Sequence, residues 1–148
     1  MEELYNELMK YLSQYRERLG VTVIDEDWGQ LEAMLNGEDT YPVTFPCLLI
    51  GFGEAQWSDV KPSPRQRGSI SIITRLAFDC YDDTHSEAGQ QEYAHDRNLA
   101  AHKLHCLLQG MVPECLDCSS MSRYSSRTIS LPHGIKVYEA EYRLRLTE

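Results

Sequence analysis

Nowhere in this 148-residue chain does an apolar run approach the ~20 residues that a bilayer-spanning helix requires. The first twenty residues, MEELYNELMKYLSQYRERLG, have neither a basic start nor an apolar stretch, so no secretory signal is read there. A reduced, intracellular setting is therefore expected. Cations are scarce: 14 Lys and Arg stand against 23 Asp and Glu, for a net charge of −9. That sign argues against general capture of nucleic acid, which needs Lys and Arg to replace phosphate counterions, though it leaves room for a local basic patch. Five cysteines, an odd number, do not suit a closed disulfide framework.

Catalytic signatures are also missing. GFGEAQ contains a GxG inside a strand pattern, with no third glycine and no following helix to cradle a phosphate. There is no serine nucleophile elbow. Cys47 and Cys80 sit in apolar strand patterns with nothing nearby to stabilise a thiolate, so both read as core residues. Asp79, Asp82 and Asp83 are a carboxylate cluster, but acids just after a strand more often shape a turn than hold Mg²⁺.

The densest group of potential ligands is HKLHCLLQGMVPECLDC, His102 to Cys118. His102 and Cys106 are one helical turn apart, and Cys115-x-x-Cys118 would have to fold over them to complete a zinc tetrahedron. On a helical wheel Tyr93, Ala100, Leu104, Leu107, Leu108 and Met111 form the buried stripe. His95, His102 and Cys106 lie opposite, with His105 on the flank. Known zinc patterns pair CxxC with a second CxxC or with a spaced HxxxH, and neither is present. The expectation is a polar helix face and cysteines packed as small hydrophobes, with a zinc-stabilised module on His102, Cys106, Cys115 and Cys118 as the alternative. A small ligand-binding α+β domain whose pocket the sequence does not reveal is the other alternative; no catalytic, cofactor-binding or metal-binding residue is assigned, and no cofactor is expected.

What the chain does contain is regular patterning around 42 % hydrophobic residues, enough for one domain over residues 1–148. Leu4, Leu8, Leu12, Tyr15 and Leu19 recur at helical spacing, with Gly20 as the stop. Val21 to Asp25 reads as a strand. Asp27 then caps a short helix through Leu31, Met34 and Leu35. FPCLLIGFGEAQW and SISIITRLAFDCY are paired strands; Ile70, Ile72, Thr74, Leu76, Phe78 and Cys80 face one way. Between them SDVKPSPRQRG is expected to protrude as a long loop. After a DDTHSEAG turn, with Thr84 or Ser86 as cap, a long helix runs from about Glu87 to Gln109 and stops at Gly110. Strands across Leu116 to Ser130 and Ile135 to Leu146, joined at LPHG, complete an α+β protein. Its sheet, antiparallel or mixed, has four to five strands, with the long helix and the N-terminal helix packed on it.

The surface candidates are few. Trp57 either anchors a partner or finishes the core at a strand end, and Lys61, Arg65 and Arg67 concentrate positive charge beside it. EAEYRLRL reads as a solvated strand face or as an edge between subunits.

Taken together, VIDEDWGQLEAMLNG, YPVTFPCLLIGFGEAQWSD, the QRG that opens the next strand and LAFDCYDDT resemble the prophage-encoded tail terminator and neck-completion proteins of long-tailed phages. The resemblance runs from the first helix into the long one. It implies a helix-decorated antiparallel sheet without catalytic activity, in subunits that close into a ring, a hexamer, at the end of the tail tube. Its implied partners are further copies of the chain and a tail-tube or neck protein, with no membrane and no sequence-specific nucleic acid. The implied location is the host cytoplasm during assembly and then the virion tail. By the same resemblance the Trp57 to Gly68 segment, with Trp57, Lys61, Arg65 and Arg67, would carry partner contacts.

Overall fold

The computed structural model describes residues 1–38, 42–80, 90–114 and 117–148. Helix α1 (Glu2–Ser13) buries Leu4, Leu8 and Leu12 completely, as their spacing predicts. It does not continue to Leu19. The chain breaks at Gln14 and Tyr15 and resumes as a single turn, α2 (Arg16–Leu19), closed by Gly20 at φ +71°. That left-handed conformation is cheap only for a residue without Cβ. The break redirects Leu19 into the same core that Leu4, Leu8 and Leu12 fill.

Strand β1 (Val23–Glu26) follows, then α3 (Gln30–Leu35). Asp27 is not the N-cap expected of it; Gly29 holds that position, and Asp27 Oδ1 instead accepts the Gly29 N–H at 3.1 Å. The hairpin strands are longer than expected. β2 spans Cys47–Asp59 and β3 spans Gln66–Asp79, so both ends of the predicted loop belong to the ladder: Trp57 pairs with Gly68 and Ser58 with Arg67. Only residues 60–65 form the turn. Repeated Pro and Gly in SDVKPSPRQRG suggested a loop, but the Gly packs under an aromatic and the prolines fall in the turn itself.

Helix α4 (Gln90–Leu108) ends before Gly110, which takes φ +80°. The DDTHSEAG turn and its candidate caps lie outside the described residues, as do Cys115 and Leu116. Strand β4 (Ser122–Leu131) begins six residues later than expected; before it, Ser119 and Asp117 bond to β5 backbone rather than forming a strand. A 3₁₀ turn, Pro132–Gly134, leads into β5 (Ile135–Thr147).

The five strands form one mixed sheet in the order β1-β2-β3-β5-β4; β1 runs parallel to β2 and every other pair is antiparallel. β5 is therefore internal: of the two readings of EAEYRLRL the intersubunit edge is corrected, since β4 takes that place, while Arg143 and Arg145 are exposed as on a solvated face. On one face Ile70, Ile72, Leu76, Tyr142, Leu144 and Leu146 pack against α1, α2 and α4. On the other, α3 covers only a patch built on Leu31, Cys47, Leu49, Ala77, Ile135 and Val137. Within α4, Ala100, Leu104 and Leu108 are buried as expected, whereas Tyr93 is 48 % exposed.

Candidate assembly interfaces

Three features of the surface are candidates for function: the β2–β3 arm, the groove beside α4, and the two sheet edges. In the arm, Trp57 lies over Gly68. A Cβ at Gly68 would come within 2.6–2.9 Å of the indole ring, so glycine is what allows the ring to lie flat on the neighbouring strand. Trp57 is thus an arm residue, 36 % exposed, and is not part of either apolar cluster. With Arg67 it lines a shallow depression that also includes Gln56, Ser58, Ser69 and Arg145. Arg65 is turned away from this depression. Its Nη2 lies 3.4 Å from Asp117 Oδ2 and also reaches the Thr147 carbonyl. Lys61 sits exposed in the turn. The structure therefore brings Trp57 and Arg67 together and separates Arg65 and Lys61 from them. Arg145, on the facing strand, was missed because its alternation with Leu144 and Leu146 reads only as a solvated face.

The groove, about 710 Å³, runs between α4 and β4–β5. Its floor carries Tyr142, whose hydroxyl lies 2.9 Å from His105 Nδ1. Burial pushes the Tyr142 phenol up to about 12 and lowers His105, so at neutral pH this is a neutral pair. His105 had been placed on the helix flank; the flank turns out to face this groove. Arg123 and His102 stand on its rim.

His102 and Cys106 do meet, Nε2 to Sγ at 3.5 Å on the exposed side of α4. Cys118 lies elsewhere, half-buried, with its Sγ 3.7 Å from the Pro113 carbonyl. Among the described residues no third His, Cys, Asp or Glu joins the pair. Cys115 lies outside them.

At the sheet edges, β1 is four residues long and carries Asp25 and Glu26, both exposed. β4 is ten residues long, contains no acid, and carries Arg123 and Arg127; residues 122–128 are all exposed. Gln109, just past α4, bonds to the Ser122 hydroxyl and the Arg123 N–H at one end of β4, and Ile129 and Leu131 pack on the α3-face cluster at the other.

No family model matches the chain, and no curated protein matches it. Among solved structures it is similar to a chain of the virion of a native gene transfer agent particle. That likeness has a TM-score of 0.54 and 10 % identity, and covers 88 % of this chain and 83 % of that one. At this identity the likeness establishes a shared fold. The fold is an α+β arrangement of helices on a five-stranded mixed sheet. No described helix is long and apolar enough to cross a membrane.

Proposed function

We propose that this chain is a structural protein of a phage-like virion, a tail terminator or neck-completion protein that acts by ring-forming contacts and not by catalysis. The observation that carries this reading is the fold shared over most of both chains with a component of a gene transfer agent virion. The motif resemblance from VIDEDWG to LAFDCYDDT points the same way. The surface is compatible with it: among the described residues, β4 is exposed from 122 to 128 and the arm presents Trp57, Lys61, Arg65 and Arg67.

On this reading the partners are further copies of the chain, six by resemblance, and the tail tube or a neck protein. The chain assembles in the host cytoplasm and ends in the virion tail. A ring of identical subunits requires a heterologous contact that closes by rotation, with two different surfaces on each copy. The arm, with Trp57, Lys61, Arg65 and Arg67, supplies additional contact to the ring or the tube.

Replacing Lys61, Arg65 and Arg67 together with Ser tests the role of the arm. All three are exposed, so the circular dichroism spectrum and the unfolding midpoint should stay close to those of the parent. Sedimentation should show less ring at a given concentration. Ring formation at parental levels would contradict the arm's part in assembly.

A further inference from the structure

Resting on the ring reading above, we infer that the acidic β1 edge of one copy pairs with the basic β4 edge of the next, so that the sheets join into one continuous antiparallel sheet. The direction of the strands permits it. β2 runs parallel to β1, β3 opposes them, β5 opposes β3, and β4 opposes β5. β4 therefore runs antiparallel to β1 at the far side of the same sheet. A second copy displaced sideways in the sheet presents its β1 to this β4 as an antiparallel partner, the pairing a hairpin-like ladder requires.

The register agrees without any slip along the strands. Val23 shares a rung with Cys47, Ala77, Val137 and Ile129, and Ile24 shares one with Leu48, Leu76, Tyr138 and Thr128. Asp25 shares a rung with Leu49, Arg75, Glu139 and Arg127, and Glu26 ends on Ser126. A level lateral step thus sets Val23 against Ile129, Ile24 against Thr128, Asp25 against Arg127 and Glu26 against Ser126. Two β-branched pairs and one opposite-charge pair are the cross-strand combinations that stabilise a ladder. Within its own copy, Asp25 Oδ1 accepts the Glu26 N–H at 2.8 Å, and Arg127 contacts Glu139. Asp25 Oδ2 is then the oxygen that meets the guanidinium of Arg127.

Charge also selects this pairing over its symmetric rivals. Two β4 edges joined about a two-fold axis would bring Arg123 and Arg127 of both copies together, and two β1 edges would bring Asp25 and Glu26 together. Like charges across a ladder destabilise it, so the head-to-tail arrangement, the one that generates rings, is the one favoured. A long unprotected edge such as β4 is otherwise an aggregation hazard, and a dedicated partner removes it. Four rungs make a small contact, so a single pair is weak. Closure, which gives every copy two such contacts, holds the assembly.

Cysteine cross-linking tests this on the full chain with Cys106, the exposed one among the described cysteines, and Cys115 both replaced by Ser. Asp25→Cys and Arg127→Cys are made in separate chains, checked for a native circular dichroism spectrum, mixed and oxidised. Facing cross-strand positions have Cβ atoms about 4.5–5.5 Å apart, close to disulfide geometry. The mixture should yield a covalent dimer whose tryptic map shows a residue 25 to residue 127 bond, while neither chain alone cross-links. The chain carrying both substitutions should give a ladder of covalent oligomers. Self-linking of either single variant, or no 25–127 bond in the mixture, overturns the edge pairing. Rings visible in micrographs without that bond would sink only the pairing; the absence of rings and of the bond would sink the ring reading with it.

Discussion

Arg75 is the charged residue whose loss the structure prices most clearly. Its side chain is 14 % exposed on the α3 face of β3, with Nη1 2.5 Å from Glu32 Oε1 and Nε 3.4 Å from Asp27 Oδ2. Glu32 belongs to α3 and Asp27 follows β1, so one guanidinium fastens both to the sheet. The Glu32 carboxylate is 55 % exposed, and a pair of that kind contributes about 0.5 kcal/mol. Asp27 is only 15 % exposed, and removing the partner of a buried charge costs roughly 3–5 kcal/mol. The Gly29 N–H still serves Asp27 Oδ1 and reduces that cost. Arg75→Met, which keeps the packing of the stem, should therefore lose about 3 kcal/mol, or about 6–12 °C in Tm for a chain of this size. Urea denaturation at pH 7 measures the loss, and adding Asp27→Asn should restore most of it. The pH dependence has a definite sign. The hydrogen bond from Arg75 holds the Glu32 carboxyl below the usual carboxylate range, so its folded value lies under its unfolded one. Its stabilisation is complete above the unfolded value and is lost as pH falls through the folded one. The gap between parent and variant should narrow in acid, below about pH 4. A variant within 0.5 kcal/mol of the parent at pH 7, or a gap that widens in acid, would refute the reasoning.

Gly68→Ala should push the Trp57 ring off its strand: the fluorescence maximum shifts to the red in a Trp28→Phe background, and an unshifted spectrum contradicts the stacking. Leu8→Ala, at a fully buried position facing the sheet, should cost about 2–5 kcal/mol by urea denaturation, and a cost under 1 would mean α1 is not fixed there. Burial raises the Cys47 thiol to about 11, so a disulfide reagent at pH 8 should label exposed Cys106 within minutes and reach Cys47 only on unfolding; early labelling of Cys47 would show that the α3 face opens.

Much of the fold was legible because burial leaves a period in the sequence. The i, i+4 leucines of α1 and the alternation of Ile70, Ile72, Thr74 and Leu76 each point into one core, and both were readable. What stayed hidden depended on pairing partners. Trp57 read as the end of its strand and Arg67 as a loop residue beside Gly68, yet the ladder continues past both. Tyr93 fits the stripe of α4, but no period says how far along a helix burial extends. β5 looked like a candidate edge since its polar face matches that of an edge strand; only the strand order shows it lies between β3 and β4. The charge contrast between β1 and β4 was invisible for the same reason. Asp25 and Arg127 are distant in sequence, and only the rungs of the sheet set them level.

The most direct test of ring assembly is the mass of the purified chain by light scattering over a concentration series, with negative-stain images of the most concentrated sample. The account predicts one discrete oligomer whose population rises with concentration and which appears as a closed ring. A chain that remains monomeric throughout, or that forms open filaments of undefined length, would contradict it.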